Sequence, residues 1–167
     1  MSSITTFAST KEYLSKILED IQQGETQLPD FQRGWIWDDE RIKSLLASIS
    51  QSFPIGAVMM LETGNKDVRF KPRLIEGVIL PNPPDPDLLI LDGQQRLTAT
   101  YQSLIGQCAV DTRDIRGKPM KRWYYIDMAK ALDSNGDRDE CIRSIAEDKR
   151  VRNFRGEVVE DYSSPEK

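Results

Sequence analysis

Apolar positions recur along the chain with two periods, and the switches between them divide it into elements. From Ser9 to Gln23, Tyr13, Leu14, Ile17, Leu18 and Ile21 share one helical face. Ser9 and Glu12 carry the S-x-x-E pattern of a capping box, and Gly24 stands where a helix ends. In TQLPDFQRGWIW, Phe31, Arg33, Trp35 and Trp37 keep a period of two, which predicts a strand or an extended segment; Pro29 argues against a central strand there. Helical spacing resumes from Asp38 to Ser52. Asp38 is its cap, Asp39 and Glu40 suit the positive end of the dipole, and Ile42, Leu45, Leu46 and Ile49 form the buried stripe. Phe53-Pro54 stops it, because the residue before proline avoids the α region.

Gly56 to Glu62 then predicts a buried strand, and Asp67 to Ile75 a second one. Four prolines between Leu80 and Asp87 predict an extended surface loop. Leu88 to Leu91 reads as a short buried strand. Gln94 to Ile105 reads as a helix with Leu97, Tyr101, Leu104 and Ile105 inward and Gly106 at its end. Arg122 to Met128 predicts another strand, and Glu140 to Glu147 a helix. Interspersed strands and helices predict an α/β (mixed α+β) fold with one modest sheet flanked by helices. Residues 1–150 are expected to form the domain, and residues 151–167, poor in apolar side chains, a frayed tail or the start of a linker.

Composition narrows the chemistry. The chain has 167 residues, enough for a real core, and 38% hydrophobic with 30% charged residues is the balance of a folded, soluble protein. No apolar run approaches the length of a membrane span, and the N-terminus has neither the basic start nor the apolar core of a signal peptide; a cytoplasmic protein is expected. Cys108 and Cys141 are widely spaced and read as two reduced thiols. There is no histidine, which excludes imidazole acid–base catalysis, HNH-type nuclease chemistry and His-ligated zinc within this chain. Net charge is −4, unlike a compact non-specific DNA binder. The basic stretch KRVRNFR, followed directly by an acidic segment, reads as solvated surface. DSNGDRDE fails the calcium-loop pattern, since positions six and twelve counted from Asp133 hold Arg138 and Ser144. Glu62, Asp67 and Glu76 are weak metal-ligand candidates, of a kind any surface sheet carries.

The chemistry-bearing stretch is LLILDGQQRLTATYQSL, a strand that turns at Asp92-Gly93 into a helix. A helix start leaves N–H groups without partners, aimed one way and reinforced by the dipole, which is a cradle for phosphate. Gly93 permits close backbone approach, Arg96 can clamp phosphate oxygens, Gln94 and Gln95 can donate to phosphate or orient a water, and Asp92 can hold Mg²⁺ or position that water. Equally, Asp92 can simply cap the helix with Gln95 completing the box, and the pattern alone leaves both readings open. A second cluster, FQRGWIW, sets Gln32 and Arg33 among Phe31, Trp35 and Trp37. A guanidinium there needs a carboxylate or a ligand phosphate, with the aromatic rings as base-stacking candidates.

LPDFQRGWIW, SFPIGAVMMLE and LILDGQQRLTATYQSL, in this order over residues 9–106, resemble the N-terminal domain of GmrSD-type type IV restriction enzymes, a family similar in fold to ParB and sulfiredoxin. The resemblance implies a nucleotide-binding, NTP-hydrolysing domain in bacterial defence against modified DNA. It implies roles for Gln32 and Arg33 and for Asp92 to Arg96; Thr98 is added to the phosphate-binding set. Family members usually continue into a helical region and an HNH-type nuclease, so the chain is expected to be an excised domain rather than a stand-alone regulator, with DNA reached through a domain beyond it and oligomerisation left open. Sulfiredoxin activity is not expected, because glutamines stand where its cysteine would be, nor is a ParB-type partition role. Together these readings expect Arg33 and Arg96 to face one cleft that holds a nucleoside triphosphate with Mg²⁺. The alternatives are a module that binds a DNA phosphate in the same cleft without turnover, and a purely structural domain.

Overall fold

A computed structural model describes residues 9–64, 70–133 and 136–164. Helix α1 (Leu14–Gln23) starts later than the pattern suggested. The Ser9–Glu12 box does not form; Tyr13 is the N-cap, and the Glu12 carboxylate accepts from its N–H at 2.9 Å. Its end is as expected: Gly24 takes φ +80°, Gly24 N–H donates to Ile21 O and Glu25 N–H to Asp20 O, a Schellman motif. Strand β1 (Thr26–Pro29) is fully buried and interior to its sheet. It ends on Pro29, which therefore costs it little, and the aromatic stretch after it is extended chain rather than strand. Helix α2 (Asp39–Ser50) is capped by Asp38, whose carboxylate accepts from Arg41 N–H at 2.9 Å.

Strand β2 (Met59–Glu62) is shorter and more exposed than the buried strand expected from Gly56, because it lies at a sheet edge. Of the strand expected over Asp67–Ile75, two residues form β3 (Pro72–Arg73), and residues 65–69 lie outside the described residues. Strand β4 (Leu88–Asp92) runs parallel to β1 and antiparallel to β2, giving the order β2-β4-β1-β3. Helix α3 (Gln94–Leu104) follows immediately. On one side it meets a core of Leu18, Ile21, Leu28, Ile75 and Ile90 through Leu97 and Tyr101; on the other, Ala99 joins Ile42, Leu45, Leu46, Val110 and Ile142. Wedged between two cores, the helix is buried continuously from Leu97 to Tyr101, whereas Leu104 and Ile105, expected inward, are exposed.

The second core rests on a further sheet that the sequence pattern did not separate from the first. Strands β5 (Val110–Arg113), β6 (Pro119–Ile126) and β7 (Ile142–Ala146) form an antiparallel sheet, with the short helices α4 (Met128–Leu132) and α5 (Arg138–Cys141) between β6 and β7. The helix expected over Glu140–Glu147 is thus one turn followed by a strand, because pairing with β6 and burial of Ile142 and Ile145 override the local pattern. The Asp39 carboxylate ties α2 to this sheet by accepting from the Tyr124 and Ser144 hydroxyls at 2.8 and 2.6 Å. Burial and the neighbouring Asp39 carboxylate push the Tyr124 phenol well above its ordinary range. The fold is a mixed α+β one, as expected, but among the described residues it has a four-stranded sheet, a three-stranded sheet and a two-stranded ribbon instead of one sheet.

Within the segment expected as a frayed tail or the start of a linker, β8 (Arg150–Arg152) and β9 (Val158–Asp161) form a hairpin. It is held by ion pairs Arg150–Asp161 (3.0 Å) and Arg143–Glu160 (2.6 Å), and Tyr162 stacks on Tyr125 with ring centres 5.5 Å apart. Hydrogen bonds from Ser163 and Arg150 lower Asp161 to about 2, and bonds from Tyr162 and Arg143 lower Glu160. A carboxylate depressed in the fold contributes stability above its unfolded pKa and loses it as pH falls through the folded one. Hairpin amides are therefore expected to lose hydrogen-exchange protection as pH falls from about 4 toward 2, before those of α3; simultaneous loss in both elements would contradict this.

A candidate phosphate site at the start of helix α3

The last carboxylate of β4 and the first turn of α3 meet at Gly93, which takes φ +92°. A Cβ there would stand 3.0 Å from the Val58 side chain, so both conformation and space call for glycine. Asp92 does not cap the helix, contrary to the structural reading of the motif. Gly93 is the N-cap and supplies no side chain, while the Asp92 carboxylate is 73% exposed and 3.3 Å from Arg96 Nη2. Leu97 N–H bonds to Gly93 O, whereas the N–H groups of Gln94, Gln95 and Arg96 have no acceptor among the described residues. The helix start therefore presents donors and partial positive charge with no hydrogen-bond acceptor from the described residues.

Three glutamine amides strap the extended segment after β1 across this helix start. Gln32 Nε2 donates to Leu91 O at 2.8 Å, Gln94 Nε2 to Arg33 O at 2.6 Å, and Gln95 Nε2 to Gly34 O at 3.1 Å. Gln95 Oε1 also accepts from Ile36 N–H at 3.1 Å, so both ends of this buried amide are committed. Gln95 is thereby a scaffold group in this arrangement and does not present a free amide to a ligand. Gln32 and Gln94 each donate through Nε2 and keep their oxygens without a donor among the described residues. From the other side Arg73, paired with Glu76 at 3.0 Å, reaches the carbonyls of Gln32 and Arg33 at 3.4 Å each. The Arg33 backbone is thus held from two directions, while its exposed guanidinium has no partner among the described residues.

Between strap and helix lies a cavity of about 270 Å³. Gln32, Arg33 and Trp37 form one wall, and the run from Asp92 to Arg96 the other. Arg33 and Arg96 both line it, two cations against the single carboxylate of Asp92. They are not equivalent. Arg96 donates to Ile55 O at 2.6 Å and Ala57 O at 2.7 Å, straddling Gly56, and so latches the loop between α2 and β2. Arg33 is the guanidinium free to meet an anion.

The other expected residues divide. Trp37 lines the cavity. Trp35 lines a neighbouring one, with its indole N–H bonded to Asp111 O. Phe31 lies outside both, edge-on to Phe70 at 5.1 Å. Thr98 is also outside: it is fully buried inside α3 with an unpartnered hydroxyl, which corrects its place in the phosphate-binding set. Among the described residues no group of three or more acidic or cysteine side chains could hold a metal ion; Glu62 lies at the exposed end of β2, Glu76 is paired with Arg73, and Asp67 is outside the described residues. Sequence reasoning missed Arg73 and the Gly56–Arg96 latch. The proline-glycine spacing of FPIG is the one signal that could have drawn notice to the latch; Arg73 carries none.

No described helix is long and apolar enough to cross a membrane. The chain is 28% identical over 158 residues to an uncharacterized protein of Methanocaldococcus jannaschii, an alignment covering 92% of this chain and 26% of that protein. It thus spans about a quarter of the length of this relative. No solved structure matches it. Over residues 14–167, from the first residue of α1 past the C-terminal hairpin, the chain matches the family described as GmrSD restriction endonuclease, N-terminal domain, and it belongs to that family.

Proposed function

We propose that the cavity at the start of α3 binds the phosphates of a nucleoside triphosphate and hydrolyses it, as the regulatory domain of a restriction protein directed against modified DNA. The observation that carries this reading is that Arg33, whose guanidinium has no partner among the described residues, and the first turn of α3, which has no side-chain cap, line one cavity. Phosphate oxygens placed there accept from the backbone N–H groups of Gln94 and Gln95 and from Arg33. Asp92, exposed at the rim, fits Mg²⁺, which takes one or two protein carboxylates and completes its shell with phosphate oxygens and water. When bound, that ion would neutralise charge developing on the phosphates. Gln94 Oε1 accepts from a water and turns it toward the terminal phosphorus. Water oxygen then bonds to phosphorus as the bond to the bridging oxygen breaks and the water's proton passes to an oxygen of the transferred phosphoryl group, leaving orthophosphate and the diphosphate. Such chemistry is positioning and charge neutralisation, and it needs no histidine, which the chain does not have.

Calorimetric titration with ATP, GTP, CTP and UTP, each with and without Mg²⁺, tests the proposal. A saturable, Mg²⁺-dependent heat with at least one of them, accompanied by phosphate release, is the expected result. Flat traces for all four, together with DNA binding that weakens steeply with salt, would replace it with capture of a DNA phosphate without turnover.

A further inference from the structure

The second cavity, about 480 Å³, adjoins the first at Trp37, the one residue that lines both cavities. Trp35 and Trp37 stand along one wall with ring centres 6.4 Å apart and planes inclined by 33°. The segment that carries both rings is held. Trp35 donates to Asp111 O, the Trp37 carbonyl accepts from Thr112 Oγ1 at 2.8 Å, and both rings pack on the second core while staying partly exposed. The facing wall is one side of the β5–β6 ribbon, where Asp111 is directly opposite Lys121, and Lys121 pairs with Glu147 at 3.4 Å.

The two cavities differ in electrostatic character. The first sets two guanidiniums against one carboxylate and draws anions. The second balances Asp111 and Glu147 against Arg113 and Lys121, so it offers no net attraction to phosphate, yet it holds donors and acceptors beside aromatic faces. That is the environment of a neutral, planar heterocycle whose edge carries both kinds of group.

Resting on the proposed triphosphate site, we infer that the second cavity is the nucleobase subsite of the same ligand: the base stacks on the Trp35–Trp37 wall, and its edge is read by the charged side chains of the β5–β6 ribbon. Trp37, standing between the two cavities, marks the passage of the sugar. The nucleotide then spans both halves of the molecule, from the first turn of α3 to the second sheet, and its binding couples them.

Inorganic tripolyphosphate separates this inference from the reading beneath it. In the presence of Mg²⁺ the full chain is expected to bind tripolyphosphate, and to bind at least one nucleoside triphosphate about tenfold more tightly. The double variant Lys121→Ala/Glu147→Ala, both positions exposed, is expected to reduce that advantage severalfold while leaving tripolyphosphate affinity unchanged; Trp35→Leu acts in the same direction. If Trp35→Leu fails to fold, the exposed pair decides. Equal affinity for tripolyphosphate and all four nucleotides overturns the subsite and leaves the phosphate site standing. An advantage unaffected in the double variant puts the base elsewhere and equally overturns it. Absence of binding by either class of ligand removes both proposals together.

Discussion

Replacing Gly56 by alanine is expected to lower the midpoint of thermal unfolding by roughly 5–15 °C, the scale of a loss of about 2–4 kcal/mol in a domain of this size. Gly56 has φ +93°, and a Cβ built on it would stand 2.0 Å from Arg96 Nη1. The conformation alone costs an L-residue about 1–2 kcal/mol. The contact cannot be relieved without moving the guanidinium away from the carbonyls of Ile55 and Ala57, and each bond from a charged donor contributes about 1.5–3 kcal/mol, reduced here by partial exposure. Arg96→Ala removes the same two bonds without the backbone strain and should destabilise by a comparable amount. Because both substitutions break one latch, the double variant should lose clearly less than the sum of the two. Additive losses in chemical denaturation would mean that no such latch exists.

This latch alters what Arg96 can be asked to show. In the sequence, Arg33 and Arg96 look alike: two guanidiniums, each directly after a glutamine and close to a glycine, either able to clamp a phosphate. Their difference lies in what the rest of the chain brings to them. The loop between α2 and β2 reaches Arg96 from about forty positions away, and no local pattern announces that its carbonyls will be presented there. A change at Arg96 therefore perturbs stability and any bound anion together, and cannot serve by itself as evidence for phosphate binding.

What was legible in the sequence follows from the range of the interaction that determines it. The Asp38 cap, the αL glycine after α1 and the strand-to-helix turn at Asp92-Gly93 each rest on contacts within a few residues, and each pattern gave the element. The exposure of β2 follows from its place at a sheet edge, the all-round burial of α3 from two cores that close on it, and the strand character of Ile142–Ala146 from a partner strand sixteen or more residues earlier. None of these is a local property. The glutamines show the same division. Their presence at the helix start marks the place, but only the path of residues 32–36 over that start shows that Gln95 commits both ends of its amide to the strap and leaves the anion to other groups.

Arg33→Ala should weaken triphosphate binding by roughly 10- to 100-fold, the effect of losing one charge-assisted contact to phosphate, while shifting the unfolding midpoint by no more than about 2 °C, as for a surface change. The separation is unusual for a residue at the centre of a hydrogen-bonded strap, and it arises because the strap uses only the backbone of Arg33. Gln94 and Arg73 hold its carbonyl, and alanine keeps that carbonyl in place. The guanidinium bonds to nothing in the described chain, so its removal costs the fold little. Arg33→Lys should recover part of the affinity, since a point charge remains but the two-pronged donor does not. Charge reversal in Arg33→Glu should abolish binding at the same unchanged stability, because it leaves Arg96 facing two carboxylates in a cavity that no longer favours anions. Calorimetry with the best-bound nucleotide, paired with a thermal melt of each variant, measures both quantities on the same samples. Parent-like affinity in Arg33→Ala would remove the ligand from this cavity, and with it the hydrolytic role.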